Sequence, residues 1–149
     1  MISMTDILKH LQGLTPDGVQ SAIGDATGRD LPVVVLSGSG EHREPDSATG
    51  GGHDSEFSGR VWHTAIAHNT EIAMQLSSDL TRAFTPHHRP ARYRIGDWAV
   101  VLIHRNTSQP EIDRSLTQTD TGTHPAYVWA TFDVHAQRPP RAEVPPSTD

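Results

Sequence analysis

Histidine is the residue type in this sequence that is best suited to chemistry, because it titrates near neutral pH and is the commonest nitrogen ligand for metals. The chain contains ten histidines. The best candidate for a metal site is a tetrad in the first half of the chain: His42, His53, Asp54 and His63. No H-E-x-x-H motif is present, and the adjacent His87 and His88 cannot share one face of a helix. The sequence therefore favours ordinary solvent-exposed histidines, and it predicts no metal and no cofactor.

Other features resemble parts of catalytic or phosphate-binding sites but lack the defining residues. Ser37–Gly40 follows a predicted strand, but Leu36 stands where a G-x-S-x-G elbow requires glycine, so we expect a turn. Gly50–Gly52 has no lysine nearby, which favours a linker over a phosphate-binding loop. The carboxylates that could form an acid–base pair lie in one polar loop: Glu111, Asp113 and Asp120. Solvated carboxylates keep ordinary pKa values, so we predict no catalytic residue and a protein that is not an enzyme.

The charge and composition of the chain argue against several classes of protein. The formal net charge is −6 and Lys9 is the only lysine, which disfavours nonspecific binding to DNA phosphates. The chain has no cysteine, so disulfides and thiolate metal sites are excluded and an intracellular origin is favoured. The sequence contains neither a signal-peptide pattern nor an apolar run of the ~20 residues that span a bilayer. We therefore expect a soluble protein with no membrane partner.

The length of 149 residues is typical of one domain, but the apolar content is low. Hydrophobic residues make up 34% of the chain, against about 45–50% in average globular domains, where glycine is included in the count. A core this thin would gain stability if a partner shared its burial. The tryptophans are interpreted as core or interface anchors, because each combines a large apolar area with a polar group. They are Trp62, Trp98 and Trp129.

Helical periodicity is strongest between Asn69 and Thr85, where Asn69 is a suitable N-cap and Pro86 ends the helix. The apolar stripe of this helix is predicted to pack on a sheet, and it consists of Ile72, Leu76, Leu80 and Phe84. Two short N-terminal helices are also predicted, over residues 5–13 and 15–24.

Four segments have the composition or the alternation of strands, and they lie at residues 31–36, 57–67, 98–103 and 126–136. The long polar segments 37–58 and 106–125 are predicted as excursions of a single domain formed by residues 1–137, the first as a mobile loop or a hairpin extension and the second as a loop. Residues 138–149 are predicted as a proline-rich tail. The predicted fold class is α+β: a mainly antiparallel four-stranded sheet packed by one amphipathic helix, with short N-terminal helices and long loops.

The order of these segments resembles the tail terminator and tail-completion proteins of long-tailed, siphovirus-like bacteriophages. The likeness covers about residues 5–137, and it is carried by Leu31–Val35, Val61–Ala65, Asn69–Phe84, Gln109–Asp113 and Tyr127–Val134. The resemblance implies a structural virion protein. Such a protein forms a ring, typically a homohexamer, that caps the head-proximal end of the tail tube and joins it to the neck.

The resemblance also implies partners and a location. The partners would be further copies of the chain, the tail tube protein and a neck or connector protein, while DNA would only pass through the lumen. The protein would be assembled in the host cytoplasm and would be found in the virion. The interface candidates are Trp62, Trp129, Tyr127, Glu111 and Asp113. Two alternatives stay open: another neck component, such as a head-closure or head–tail connector protein, and a small His-dependent metal-binding protein or enzyme.

Overall fold

In the part of the chain that the structure describes, the fold consists of two α-helices and seven β-strands that belong to one sheet. The computed structural model describes residues 2–25, 30–43, 56–114 and 124–138. A short 3-10 turn at Pro86–His88 follows the second helix. The elements in chain order are α1 (Met4–Gly13), β1 (Gln20–Ile23), β2 (Val33–Arg43), β3 (Glu56–Ala67), α2 (Thr70–Phe84), β4 (Ala91–Ile95), β5 (Trp98–Thr107), β6 (Glu111–Ile112) and β7 (Ala126–Gln137).

The prediction of a four-stranded antiparallel sheet is wrong in both the number and the direction of the strands. The sheet is mixed and strongly curled, like half of a barrel, in the order β1-β2-β3-β7-β5-β4 with β6 paired to β7. β1 runs parallel to β2, whereas the other neighbours are antiparallel. The four predicted strands correspond to β2, β3, β5 and β7. The strands that were missed, β1, β4 and β6, have only two to five residues.

The N-terminal region contains one helix rather than the two that were predicted. α1 begins with a capping box in which the Ser3 hydroxyl accepts from the backbone N–H of Asp6 and the Asp6 carboxylate accepts from that of Ser3. The predicted helix of residues 15–24 is wrong, because Gln20–Ile23 pairs with β2 instead. A helix this short is only marginally stable by itself, whereas pairing with β2 satisfies the backbone hydrogen-bonding groups of Gln20–Ile23.

The predicted helix over Asn69–Thr85 is confirmed, but its buried stripe is rotated. The Asn69 side chain accepts from the backbone N–H of Ile72 at 2.8 Å, and Thr85 is the C-cap. Ile72 is 43% exposed, whereas Ala73 is fully buried. A helix turns by about 100° per residue, so Ile72 lies about 120° from Phe84 around the axis and Ala73 only about 20°. The assignment of Ile72 to the core is therefore wrong, and the buried residues are Ala73, Leu76, Ser77, Leu80, Thr81 and Phe84.

Residues 37–43 and 56–58, at the two ends of the segment predicted as a loop or a hairpin extension, belong to paired antiparallel strands. β2 extends to Arg43 and β3 begins at Glu56, and these strands pair along their whole length. Ser37–Gly40, which was predicted as a turn, lies inside β2. Gly50–Gly52 lies outside the described residues. The polar composition is compatible with strands, because the hydrogen bonds of a ladder join backbone groups and require no apolar side chain.

The predicted loop at residues 106–125 also contains strand structure. β5 extends to Thr107, and β6 pairs Ile112 with Ala126, while residues 115–123 lie outside the described part of the chain. The predicted C-terminal tail lies outside it too, apart from Arg138.

β4 was not predicted from the sequence, although apolar residues alternate with arginines in this strand. β4 turns into β5 at Gly96, whose φ of 62° suits a tight turn.

The sheet curls until its two margins meet around α1. α1 packs against β1 and β2 at one margin and against β4 at the other. The ring of His10 in α1 lies 5.0 Å from that of Tyr93 in β4, and the ring of His42 in β2 lies 5.9 Å from that of Trp98 in β5. A ring nitrogen of His42 is also 2.6 Å from the carbonyl oxygen of Ile2. Because β3 and β7 separate β2 from β5 within the sheet, these contacts require strong curvature.

Glycines make room for the start of α1 and for close backbone packing in the hairpin. They are Gly38, Gly40 and Gly59. A Cβ on Gly38 would lie 2.5 Å from the sulfur of Met4, which packs over the hairpin. A Cβ on Gly59 would lie 2.4 Å from the carbonyl oxygen of Ser39. Side chains at these positions would therefore force the two strands, or the hairpin and α1, apart.

We expect Gly59→Ala to lower the free energy of unfolding by about 1–3 kcal/mol, because the new Cβ would overlap backbone atoms that cannot rotate away. Gly13→Ala is the matched control, since a Cβ at the end of α1 meets nothing within 4 Å. The control should be neutral or should stabilise by up to about 1 kcal/mol through helix propensity. Urea denaturation followed by circular dichroism measures both effects. Equal effects of the two substitutions would contradict the close approach at Gly59.

Candidate interaction surface

One face of the sheet turns away from both helices and carries a group of aromatic residues. Along β3 and β7, buried residues facing α2 alternate with partly exposed ones on this outer face. Ile66 lies directly opposite Tyr127, and Thr64 lies opposite Trp129. Trp62 is the diagonal neighbour of Trp129, a separation of about 7–8 Å between such positions. We call Trp62, Ile66, Tyr127 and Trp129 the aromatic patch.

The predicted acidic residues lie at one border of the aromatic patch. The Tyr127 hydroxyl donates a hydrogen bond of 2.5 Å to a carboxylate oxygen of Glu111, its partner across β6 and β7. This hydrogen bond raises the pKa of Tyr127, because the carboxylate holds the phenolic proton and disfavours the phenolate. The backbone N–H of Asp113 donates to the carbonyl of Pro125 at 2.8 Å. The structure thus brings the predicted interface residues together, with Asp113 at the margin.

A charged cluster beside the aromatic patch was not predicted from the sequence. The Asp133 carboxylate lies 3.5 Å from Nε of Arg60, and it accepts a hydrogen bond of 2.5 Å from Nε of Arg105. The arginine side chains are 62% and 56% exposed, so each pair contributes about 0–1 kcal/mol. Arg60, Trp62 and Asp133 line an open depression of about 780 Å³. Only the strand register reveals this cluster, because Arg60 lies directly opposite Asp133 across β3 and β7.

The third tryptophan belongs to the core. Trp98 is only 3% exposed, and its ring packs near His42 where the curled sheet closes. The sequence predicted that each tryptophan would be a core or an interface anchor. Trp98 lies in the core, whereas Trp62 and Trp129 lie on the outer face of the sheet.

The histidines proposed as a metal tetrad do not converge. His42 lies opposite Phe57, which is six residues along β3 from His63. At a rise of about 3.3 Å per residue, this places the two histidines about 20 Å apart along the sheet. His53 and Asp54 lie outside the described residues. Within the part of the chain that the structure describes, no group of three or more His, Asp or Glu side chains is placed to hold a metal ion.

His63 is buried, contrary to the expectation of a solvated histidine. It is 0% exposed, and its ring lies 5.8 Å from that of Phe84 and 5.5 Å from that of Phe132. The Thr81 hydroxyl donates to a carbonyl of α2, so it accepts from Nε2 of His63 at 3.3 Å. Nδ1 of His63 has no hydrogen-bond partner among the described residues. Burial, together with the nearby His104, lowers the pKa of His63 to about 3, which keeps the ring neutral.

Comparison of the chain with protein-family models and with curated proteins finds no match. None of the described helices is long and apolar enough to cross a membrane. Any functional assignment therefore depends on the resemblance in segment order and on the surfaces described above.

We expect the neutral His63 to make the fold sensitive to acid. Its pKa is 6.5 in the unfolded chain and about 3 in the folded one, so only the unfolded state takes up a proton between these values. The resulting stability is present above pH 6.5 and is lost as the pH falls towards 3. Between about pH 7 and about pH 5, this loss amounts to about 2 kcal/mol.

His63→Met should remove this part of the pH dependence, because methionine is apolar and does not titrate. His135→Gln serves as the control, since His135 is exposed at the end of β7. Urea denaturation of the three proteins at several pH values measures the slopes. A slope for His63→Met equal to that of the wild type would contradict a buried, neutral His63.

Proposed function

We propose that this chain is a structural protein of a long-tailed bacteriophage, a tail terminator whose copies form a ring on the head-proximal end of the tail tube. In this role it joins the tube to the neck and has no catalytic activity. The resemblance in segment order supports the choice of family. The aromatic patch is the observation that carries the proposal of assembly, because it offers apolar surface outside the core.

The aromatic patch has the composition of a protein interface. Tryptophan and tyrosine are enriched in interface hot spots, because they bury a large area while keeping a polar group for hydrogen bonding. Trp62, Tyr127 and Trp129 are only partly exposed, so their positions are already restricted by neighbouring side chains. The hydrogen bond from Tyr127 to Glu111 also fixes one ring. A surface ordered before binding loses less conformational entropy when a partner docks.

The residues around the patch are suited to an interface rim. Arg60, Arg105 and Asp133 form a charged border on one side, in which the two arginines are largely exposed and Asp133 is partly exposed. Interfaces commonly place apolar residues at the centre and polar groups at a rim that stays accessible to water. Such a rim adds little affinity, but opposite charges on a partner would select its orientation. The outer face therefore has both components of a specific contact.

The overall charge agrees with a ring around a passage for DNA. The formal net charge is −6, so the chain as a whole repels phosphate groups. A lumen that DNA crosses during ejection functions best if it does not retain the DNA. An acidic chain meets this requirement, with the tail tube and the neck as its protein partners.

Assembly can be tested with the tail tube protein of the same phage. We expect electron microscopy to show closed rings at the ends of tubes, and light scattering to give ring masses near that of a homohexamer. Trp62→Ala combined with Trp129→Ala should weaken assembly at least about 30-fold, because hot-spot aromatics contribute about 2 kcal/mol or more. Ile72→Ala is the matched control, since Ile72 is 43% exposed on α2, away from the outer face.

Three results would contradict the proposal. A chain that stays monomeric with and without tube protein would exclude a ring. Rings that bind only the portal side would indicate another neck component, such as a head-closure protein. Assembly lost in Ile72→Ala but kept in the double tryptophan variant would place the interface on α2 instead of on the aromatic patch.

A further inference from the structure

A cleft on the other side of the sheet, between α2 and the chain that follows β5, is separate from the aromatic patch. Its volume is about 350 Å³. α2 forms one wall, the end of β5 forms the other, and the turn after α2 adds a histidine. The residues of the cleft that carry the argument are Ser77, His88, His104 and Thr107.

Ser77 belongs to the wall of the cleft and carries a buried hydroxyl without a hydrogen-bond partner among the described residues. Its side chain is 1% exposed, and its Oγ has no hydrogen bond to any described residue. Serine and threonine in helices commonly donate to a carbonyl of the preceding turn, as Thr81 does to Ser77 at 2.9 Å. Ser77 does not do this, so its hydroxyl is free to donate. A buried donor of this kind is satisfied when the Ser77 side chain turns towards an acceptor that a ligand brings to the cleft.

Two histidines add donors and potential positive charge to the same cleft. A ring nitrogen of His104 lies 2.9 Å from the Thr107 hydroxyl. Partial burial lowers the pKa of His104, and the nearby His88 lowers it further, while a backbone hydrogen bond at Asn106 opposes this. The buried His63 is the other titratable group that interacts with His104. A negative charge bound between His88 and His104 would offset both burial and their mutual repulsion.

The turn that carries His88 has an unusual backbone. His87 and His88 have φ values of 61° and 56°, in the left-handed region that residues other than glycine rarely occupy. Such conformations are concentrated at ligand sites, where surrounding structure maintains them. Here the turn follows α2 directly and brings His88 to the cleft.

The charge of the lining determines the ligand class. No aspartate or glutamate is among the described residues that line the cleft, although the whole chain has a formal net charge of −6. The lining instead combines hydroxyl groups and imidazoles, which are the donors that oxyanions bind. A cation would find no carboxylate here, and a purely apolar ligand would leave Ser77 unsatisfied.

We propose that this cleft binds a small oxyanion between His88, His104 and the hydroxyl of Ser77. The anion is either free phosphate or the carboxylate of an acidic group, since both present two or more acceptor oxygens. This inference does not depend on the tail terminator proposal, because the cleft and the aromatic patch lie on opposite faces of the sheet.

Nuclear magnetic resonance of the ¹⁵N-labelled full chain tests the inference at about pH 5.5, below the ordinary imidazole pKa of about 6.5, because burial and His88 lower the pKa of His104. Sodium phosphate and sodium acetate are titrated separately against sodium chloride at matched ionic strength. We expect saturable shifts of the amides of Ser77, Ser78 and Thr107 with a Kd below about 10 mM. Saturation by phosphate identifies a free anion as the ligand. Saturation by acetate alone identifies a carboxylate group.

Variants distinguish the site from general anion effects. Ser77→Ala should raise the Kd at least about fivefold because it removes a donor, and His104→Gln should do so because it removes a ring that can take up a positive charge. His88→Asn should do the same without disturbing the fold, since asparagine tolerates a left-handed backbone. His135→Gln is the control and should leave the Kd unchanged. Absence of saturation by either anion, or equal Kd values in all variants, would overturn the proposal.

Discussion

The curl of the sheet around α1 is the constraint on which the rest of the structure depends. α1 packs against β1 and β2 at one margin and against β4 at the other, although the other strands of the sheet lie between them. The concave face is filled by one large core cluster that joins Leu8 of α1, Leu80 of α2 and Phe132 of β7. A partner therefore meets the convex face, the strand edges or the outer side of α2. Because α2 covers β3 and β7 from inside, the aromatic side chains of these strands that face outwards contribute little to the core.

The same curl explains the composition of the hairpin. Its residues near the start of α1 must be small, because Met4 and the backbones of β2 and β3 approach closely there. Glycine and serine therefore occupy positions where a typical strand would have valine or isoleucine. Phe57 is the exception, since it is 3% exposed and packs against His42 at the closing end of the sheet. A hairpin that looks like a linker by composition is thus a structural part of the domain.

Local patterns predicted some elements well and others poorly. α2 and the four longer strands could be recognised because their periodicity extends over many residues, whereas β1 and β6 are too short to have a pattern. β4 alternates apolar residues with arginines, but this pattern covers only five residues. The i, i+4 spacing that placed Ile72 in the core advances by about 40° around the helix axis at each step. Over three turns, residues at this spacing no longer share one face. Trp62 and Trp129 were identified by residue type, but their proximity, and that of Arg60 to Asp133, depends on a register that no local pattern specifies.

The two candidate sites use opposite faces of the sheet, and this has a physical consequence. The aromatic patch consists of side chains on the outer positions of β3 and β7, whereas the cleft lies against α2 on the inner side. The inner positions of the same strands hold His63 and Phe132, and Phe132 also packs 5.2 Å from His104 of the cleft. The two sites therefore share a backbone but not their side chains. Substitutions on the outer positions change the assembly surface while leaving the inner packing intact, so the two proposed activities can be separated by mutation in one chain.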